Sequence, residues 1–207
     1  MEKYWSRFAD TYDKNQEEVV GKELLADITK ELKDLSDLGD MVEFGCGTGY
    51  FTETVVQNSN HMIATDLSDE LLERAKIRLD KNPKITIQKE NCTDTSFASE
   101  RFDSVFMANL IHVIEDPLKA LQESCRILKN DGILLIVTFT NYGMKWFEKI
   151  KLGIRYLKVW GKPPQHVHAF SPEKLASLME TAGFTVEEAK LIGNRTKALY
   201  LIGKKKR

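Results

Sequence analysis

With 207 residues, 42% of them hydrophobic and 29% charged, the chain has the size and balance of one globular domain. No apolar run approaches the roughly 20 residues of a membrane-spanning helix, and Met1-Glu2-Lys3-Tyr4-Trp5 has no apolar core like that of a signal peptide, so the expected compartment is the cytoplasm. A net charge of −1 gives no global reason to expect nucleic acid as partner, and three scattered cysteines (Cys46, Cys92, Cys125) without histidines at ligand spacing argue against a disulfide framework and against a metal site.

Short apolar runs alternate with helical periodicity along the chain, which predicts a mostly parallel sheet covered by helices. Val20, Leu24, Ile28 and Leu32 recur every four residues and predict one helix over about 17–35. A strand at 41–44, a glycine-rich turn and a helix over about 50–57 follow, then a strand at 61–65 ending on Asp66. Ser68 is placed to cap a helix whose first turn carries Asp69 and Glu70. Strands are expected at 85–88 and 102–109, then a helix from Pro117 with Leu118, Leu121, Cys125 and Leu128 inward, and the most apolar strand at 133–139 after the turn signal Asn130-Asp131-Gly132. Ser171-Pro172 opens a late helix that Gly183 closes. The last two strands, about 184–191 and 197–202, are too close for a crossover helix and should be antiparallel. The Lys204-Lys205-Lys206-Arg207 end reads as a solvated tail.

The most informative segment is Glu43-Phe44-Gly45-Cys46-Gly47-Thr48-Gly49-Tyr50, with three alternating glycines between a strand and a helix. Glycines there let the backbone turn tightly and let a ligand lie against it. Asp66 closes the next strand and can take both hydroxyls of a ribose. A dinucleotide fingerprint spaces its third glycine one residue later, where Tyr50 stands. Glu43 would repel a pyrophosphate but suits a ligand carrying an ammonium and a sulfonium.

On these residues the chain resembles the class I S-adenosylmethionine-dependent methyltransferases, most closely the branch with quinone-biosynthesis and small-molecule enzymes. Asp66-Leu67-Ser68, Asn91-Cys92, Phe102-Asp103-Ser104-Val105 with Asn109, and the stretch from Phe170 to Phe184 extend the likeness over about 4–183. The resemblance implies a Rossmann-like, doubly wound seven-stranded sheet with an antiparallel last strand. It implies S-adenosyl-L-methionine as cofactor, held by Glu43, Gly45, Cys46, Gly47, Gly49, Asp66, Leu67, Asn91, Cys92, Asn109 and Tyr12. Asn91 stands where the family usually has Asp; an amide oxygen can still accept from an adenine amino group. The Cys46 thiol itself reads as a small buried side chain.

His112 is the candidate catalytic base, with a loop histidine that only shapes the pocket as the alternative. Tyr12, in an N-terminal helical cover of about 1–38, either closes over the cofactor or packs on the domain. His166 and His168 flank Val167 and can line the acceptor site; two histidines without a third ligand make a poor metal site. An insertion of about 141–170 should be the acceptor lid. Within it, 144–160 interleaves Lys145, Lys149, Lys151, Arg155 and Lys158 with bulky apolar residues, as in a basic amphipathic helix interrupted near Gly153. That helix fits a lid over an apolar acceptor, a peripheral membrane contact, or a plain surface or dimer contact. The expected function is methyl transfer to a small-molecule acceptor by a monomer or homodimer. The alternatives are a cofactor-binding sensor without turnover and an NAD-dependent oxidoreductase.

Overall fold

A computed structural model describes residues 2–207. Seven strands form one sheet in the order β3-β2-β1-β4-β5-β7-β6. They are β1 (Asp40–Phe44), β2 (His61–Asp66), β3 (Ile85–Lys89), β4 (Phe102–Ala108), β5 (Leu128–Thr140), β6 (Phe184–Ile192) and β7 (Lys197–Lys205). β7 alone runs antiparallel to its neighbours, β5 and β6. The helices are α1 (Glu2–Ser6), α2 (Tyr12–Val20), α3 (Lys22–Lys33), α4 (Thr52–Val55), α5 (Asp69–Leu79), α6 (Pro117–Ile127), α7 (Trp146–Trp160) and α8 (Pro172–Thr181). The fold is the expected doubly wound α/β sheet with its antiparallel last strand.

Both faces of the sheet are buried because strand side chains alternate. Val42 and Phe44 of β1 face a core closed by Leu121 and Ile127 of α6 and by Leu175 and Met179 of α8. Met41 faces the opposite core, closed by Leu24, Ile28 and Leu32 of α3. Ser68 and Ser171 cap α5 and α8, accepting from Leu71 N–H and Lys174 N–H.

Four local expectations need correction. The helix over 17–35 is two helices, broken at Gly21, whose φ of +90° no helix accommodates. The apolar period carries across the break because both pieces pack on the same core. The turn signal at 130–132 does not start a strand; it sits inside β5 as an irregularity, with Asp131 at φ +63°. β5 therefore begins at Leu128, and α6 buries Ala120, Leu121, Ser124 and Ile127 while Leu118 and Cys125 are only half-buried. The basic end is not a free tail: β7 extends to Lys205, and Arg207 pairs with Asp131 at 2.8 Å. Finally, α7 runs unbroken through Gly153.

β1, β2 and β4 all end at one edge, and the chain reverses direction of winding between β1 and β4. In open α/β sheets that switch point leaves a crevice beyond the C-terminal strand ends. No helix among the described residues is long and apolar enough to cross a membrane.

Candidate active site

The turn after β1 is built by glycines in the left-handed region: Gly45 at φ +69°, Gly47 at +56° and Gly49 at +82°. Their reasons differ. A Cβ on Gly45 would come within 2.9 Å of Leu110, and one on Gly49 within 2.8 Å of Leu79, so both serve packing. A Cβ on Gly47 would meet nothing closer than Tyr12 at 4.0 Å. The space over Gly47 is therefore open for a ligand against bare backbone.

Asp66, at the end of β2, ties this turn to the next. Its carboxylate accepts from Gly47 N–H at 3.0 Å and from Ser68 N–H at 2.9 Å. A carboxylate presents two acceptor oxygens, the acceptor set that the paired hydroxyls of a ribose match. Glu43 lies beneath the turn, 1% exposed, and accepts from the Thr52 hydroxyl at 2.6 Å. Burial pushes its pKa up to about 8, the Thr52 bond opposes this, and the Asp66 charge adds to it. Among the described residues no cation pairs with Glu43. A buried carboxyl that lacks a cation, under a cradle that lacks side chains, fits a ligand with a cationic head and a nucleoside body.

A first chamber opens over the turn. Tyr12, Gly45, Gly47, Asp66, Leu67, Cys92 and Asn109 line it. The structure thus brings together most of the residues selected from the sequence. Glu43, Cys46 and Gly49 stand behind the wall rather than in it. Cys46 packs with Leu72 and Ala75 of α5, and burial holds its thiol well above its usual pKa. Asn91 turns away: it is exposed, and its side-chain oxygen accepts from Thr93 N–H and the Thr93 hydroxyl. An Asx turn claims the amide, and Glu90 lines the chamber in its stead.

A second chamber shares Trp5, Tyr12 and Asn109 with the first. Asn109 is held at φ +54°, where its side-chain oxygen accepts from Phe139 N–H at 3.2 Å. Phe139, Tyr156 and Trp160 supply aromatic walls, Leu152, Val19 and Val20 aliphatic ones. Its polar groups, Gln16, Asn109, His112 and the two phenols, are neutral or carry no full charge at neutral pH. Gln16, Phe139 and Leu152 carry no local signal, because they come from three distant elements that meet only in the fold.

His112 lines this second chamber, with Nδ1 2.7 Å from the Thr138 hydroxyl. Burial, then the nearby His168, pushes its pKa down to about 4, so the imidazole is neutral across the physiological range. His168 lies outside both chambers: its N–H donates to the His112 carbonyl at 2.7 Å and its Nε2 donates to the Ile114 carbonyl at 2.8 Å. His166 approaches Glu115 at 3.9 Å. Among the described residues no three His, Cys, Asp or Glu side chains converge as a metal site.

A clasp holds α2 over the turn. The Thr48 hydroxyl and Arg78 both donate to Asp13, and Arg78 Nη1 also donates to the Thr48 carbonyl at 3.2 Å. Charged hydrogen bonds in such half-buried positions contribute about 1.5–3 kcal/mol. Arg78→Ala should therefore loosen Tyr12 from the chamber and weaken nucleoside binding about tenfold, read by calorimetric titration, with a circular dichroism spectrum like wild type.

Residues 12–189 match a family model described as a methyltransferase domain. The chain is 27% identical over 158 residues to the ubiquinone biosynthesis O-methyltransferase of Haemophilus ducreyi, covering 72% of this chain and 66% of that protein. It is 32% identical over 105 residues to the demethylmenaquinone methyltransferase of Bacteroides fragilis, covering 48% and 43%. The matches thus span about two-fifths to two-thirds of these relatives' length. Among solved structures, a SAM-dependent methyltransferase from Thermotoga maritima superposes over all of both chains, with a TM-score of 0.76 and 24% identity. The methyltransferase bound to the Trm112 activator in Haloferax volcanii gives 0.76 over 98% of both chains at 18% identity. At those identities the structural likeness speaks for the fold.

Proposed function

The chain belongs to the methyltransferase-domain family, and on that premise we propose that it transfers a methyl group from S-adenosyl-L-methionine to a small, apolar, aromatic acceptor bearing a hydroxyl. The observation that carries the reading is the pair of chambers meeting at Tyr12 and Asn109, one floored by Gly47 and Asp66, the other walled by aromatic rings around His112. When bound, the cofactor supplies an electrophilic methyl group on a sulfonium. The protein's part is alignment and exclusion of water. Asp66 and Gly47 hold the nucleoside, Glu43 provides negative charge beneath its cationic end, and Tyr12 and Trp5 close over it.

His112 orients the acceptor. With the proton on Nδ1, donated to Thr138, Nε2 is left to accept from the acceptor hydroxyl. An imidazole of such low basicity is a poor base for a resting hydroxyl. It suffices late in attack, when the oxygen is bonding to carbon and its proton has become strongly acidic.

The test is incubation with labelled S-adenosylmethionine and a panel of phenols. Transfer is expected to hydrophobic phenols and not to carboxylated analogues, which would bury an unpaired charge in the second chamber. His112→Ala should lower kcat by about 100-fold or more without changing nucleoside affinity, and His112→Gln should recover part of it. The acid limb of kcat should fall near pH 4 rather than 6.5. Tight S-adenosylhomocysteine binding with no transfer to any acceptor would instead make the chain a sensor, and thermal stabilisation by NAD alone would make it a dinucleotide enzyme.

A further inference from the structure

α7 has two apolar faces, which an ordinary surface helix does not. Leu152, Tyr156 and Trp160 point inward and roof the second chamber. On the other side stand Trp146, Ile150, Ile154 and Leu157, which are 73%, 54%, 62% and 58% exposed, with Phe147 beside them at 37%. These five are the majority of the eight large apolar side chains left exposed among the described residues. At about 100° per residue they form one continuous stripe along the helix.

The charges around the stripe have one sign. Lys149 flanks one side, Lys151 and Lys158 the other, and all three are exposed. Ile154 also lines an open cleft of about 550 Å³ that carries Lys22, Lys151, Arg155 and Arg195 against Glu23 and Glu148. Arg155 Nε, without a hydrogen-bond partner, is buried behind the cleft wall and is not one of the exposed cations. Lys22 is shared with Glu17 at 3.1 Å across an exposed, weak pair, and Lys151 with the mostly buried Glu148 at 3.5 Å.

The geometry points to a docking surface for an anionic phospholipid bilayer, with the Trp146–Leu157 stripe set into the interface and the flanking lysines against lipid phosphates. A protein partner would need acids around an apolar groove; a bilayer supplies apolar depth and a sheet of negative charge together, which is what an apolar stripe between rows of cations matches. A second copy of this chain would set like charges of the two stripes against each other. The docking is independent of methyl transfer, so its failure would leave that reading standing. What it adds is that the helix roofing the second chamber is the one laid on lipid.

The test is co-sedimentation of the full chain with phosphatidylcholine vesicles, with and without phosphatidylglycerol. Capture is expected on the anionic vesicles, falling as salt is raised, with a blue shift of tryptophan emission that Trp146→Phe removes. Ile150→Asp with Ile154→Asp should abolish capture. Lys149→Ala with Lys158→Ala should weaken it about 30-fold, two surface cations' worth. Both pairs should keep wild-type stabilisation by S-adenosylhomocysteine, which shows the fold and the first chamber intact. No capture on anionic vesicles, equal capture on neutral ones, or capture undiminished by the Asp pair would overturn the proposal. So would a stable dimer that the Asp pair dissociates while vesicles bind neither form.

Discussion

Glu43→Gln should both stabilise the empty protein and disable its nucleoside site. The wild-type carboxyl has a folded-state pKa of about 8 against an ordinary 4.5. A group raised in this way contributes its full stability below 4.5 and loses it as pH climbs through 8. The loss in full, above pH 8, corresponds to up to about 5 kcal/mol. A glutamine oxygen keeps the Thr52 bond and never ionises, so the variant should melt higher than wild type at pH 8 to 9, by roughly 10 °C, and no higher at pH 4. Binding should move the other way. A cationic ligand requires the ionised carboxylate, so wild-type binding near pH 7 should release about one proton, and affinity should rise with pH until the ligand's own ammonium deprotonates near about 8. Calorimetric titrations of S-adenosylhomocysteine in buffers of different ionisation enthalpy measure that proton directly. In Glu43→Gln the proton release should vanish and affinity should fall about 100-fold. Equal affinity and unchanged proton release in the variant would remove Glu43 from the site.

Trp160→Ala should unfasten the cover. Trp160 is 5% exposed, and its ring meets Trp5, Phe8 and Tyr12 with centroids 5.4, 4.9 and 5.4 Å away. Its carbonyl accepts from the Tyr4 hydroxyl and from Arg7, each at 3.1 Å. One residue thus joins the end of α7 to α1 and α2, and it walls the second chamber as well. Truncating a buried tryptophan costs about 3–5 kcal/mol. The core on the other face of the sheet does not include this ring, so the loss should appear as earlier proteolysis of the N-terminal helices with strand content retained. Acceptor KM should rise at least about tenfold, since the wall is lost, and Trp160→Phe should recover most of it. A variant with wild-type proteolysis and KM would show that the aromatic cluster neither holds the cover nor shapes the chamber.

The local backbone chemistry of the candidate nucleoside site is legible in the chain. Alternating glycines after a strand are a backbone requirement, and an acid closing the next strand is fixed in position by β pairing, so Gly47 and Asp66 could be read without a structure. So could the caps at Ser68 and Ser171, which act over three residues. The period of α2 and α3 was readable too, but not the break at Gly21, because both pieces serve the same core and periodicity is blind to a kink that preserves the face.

What only the tertiary structure decided depends on groups brought together from afar. The sequence pattern places Glu43 and Gly49 among the cofactor contacts; in the fold Glu43 lies buried beneath the turn, bonded to Thr52, and Gly49 makes room for Leu79. Asn91 carries an amide at the expected position, and a hydrogen bond two residues away turns it out of the chamber. The second chamber joins α2, the ends of β4 and β5, and α7, elements separated by up to a hundred residues or more, so no window of sequence contains it. The chain's own residues dictate backbone geometry and local hydrogen bonding; the shape of a chamber, and the burial that makes His112 neutral and Glu43 a latent charge, arise only when distant side chains exclude water together.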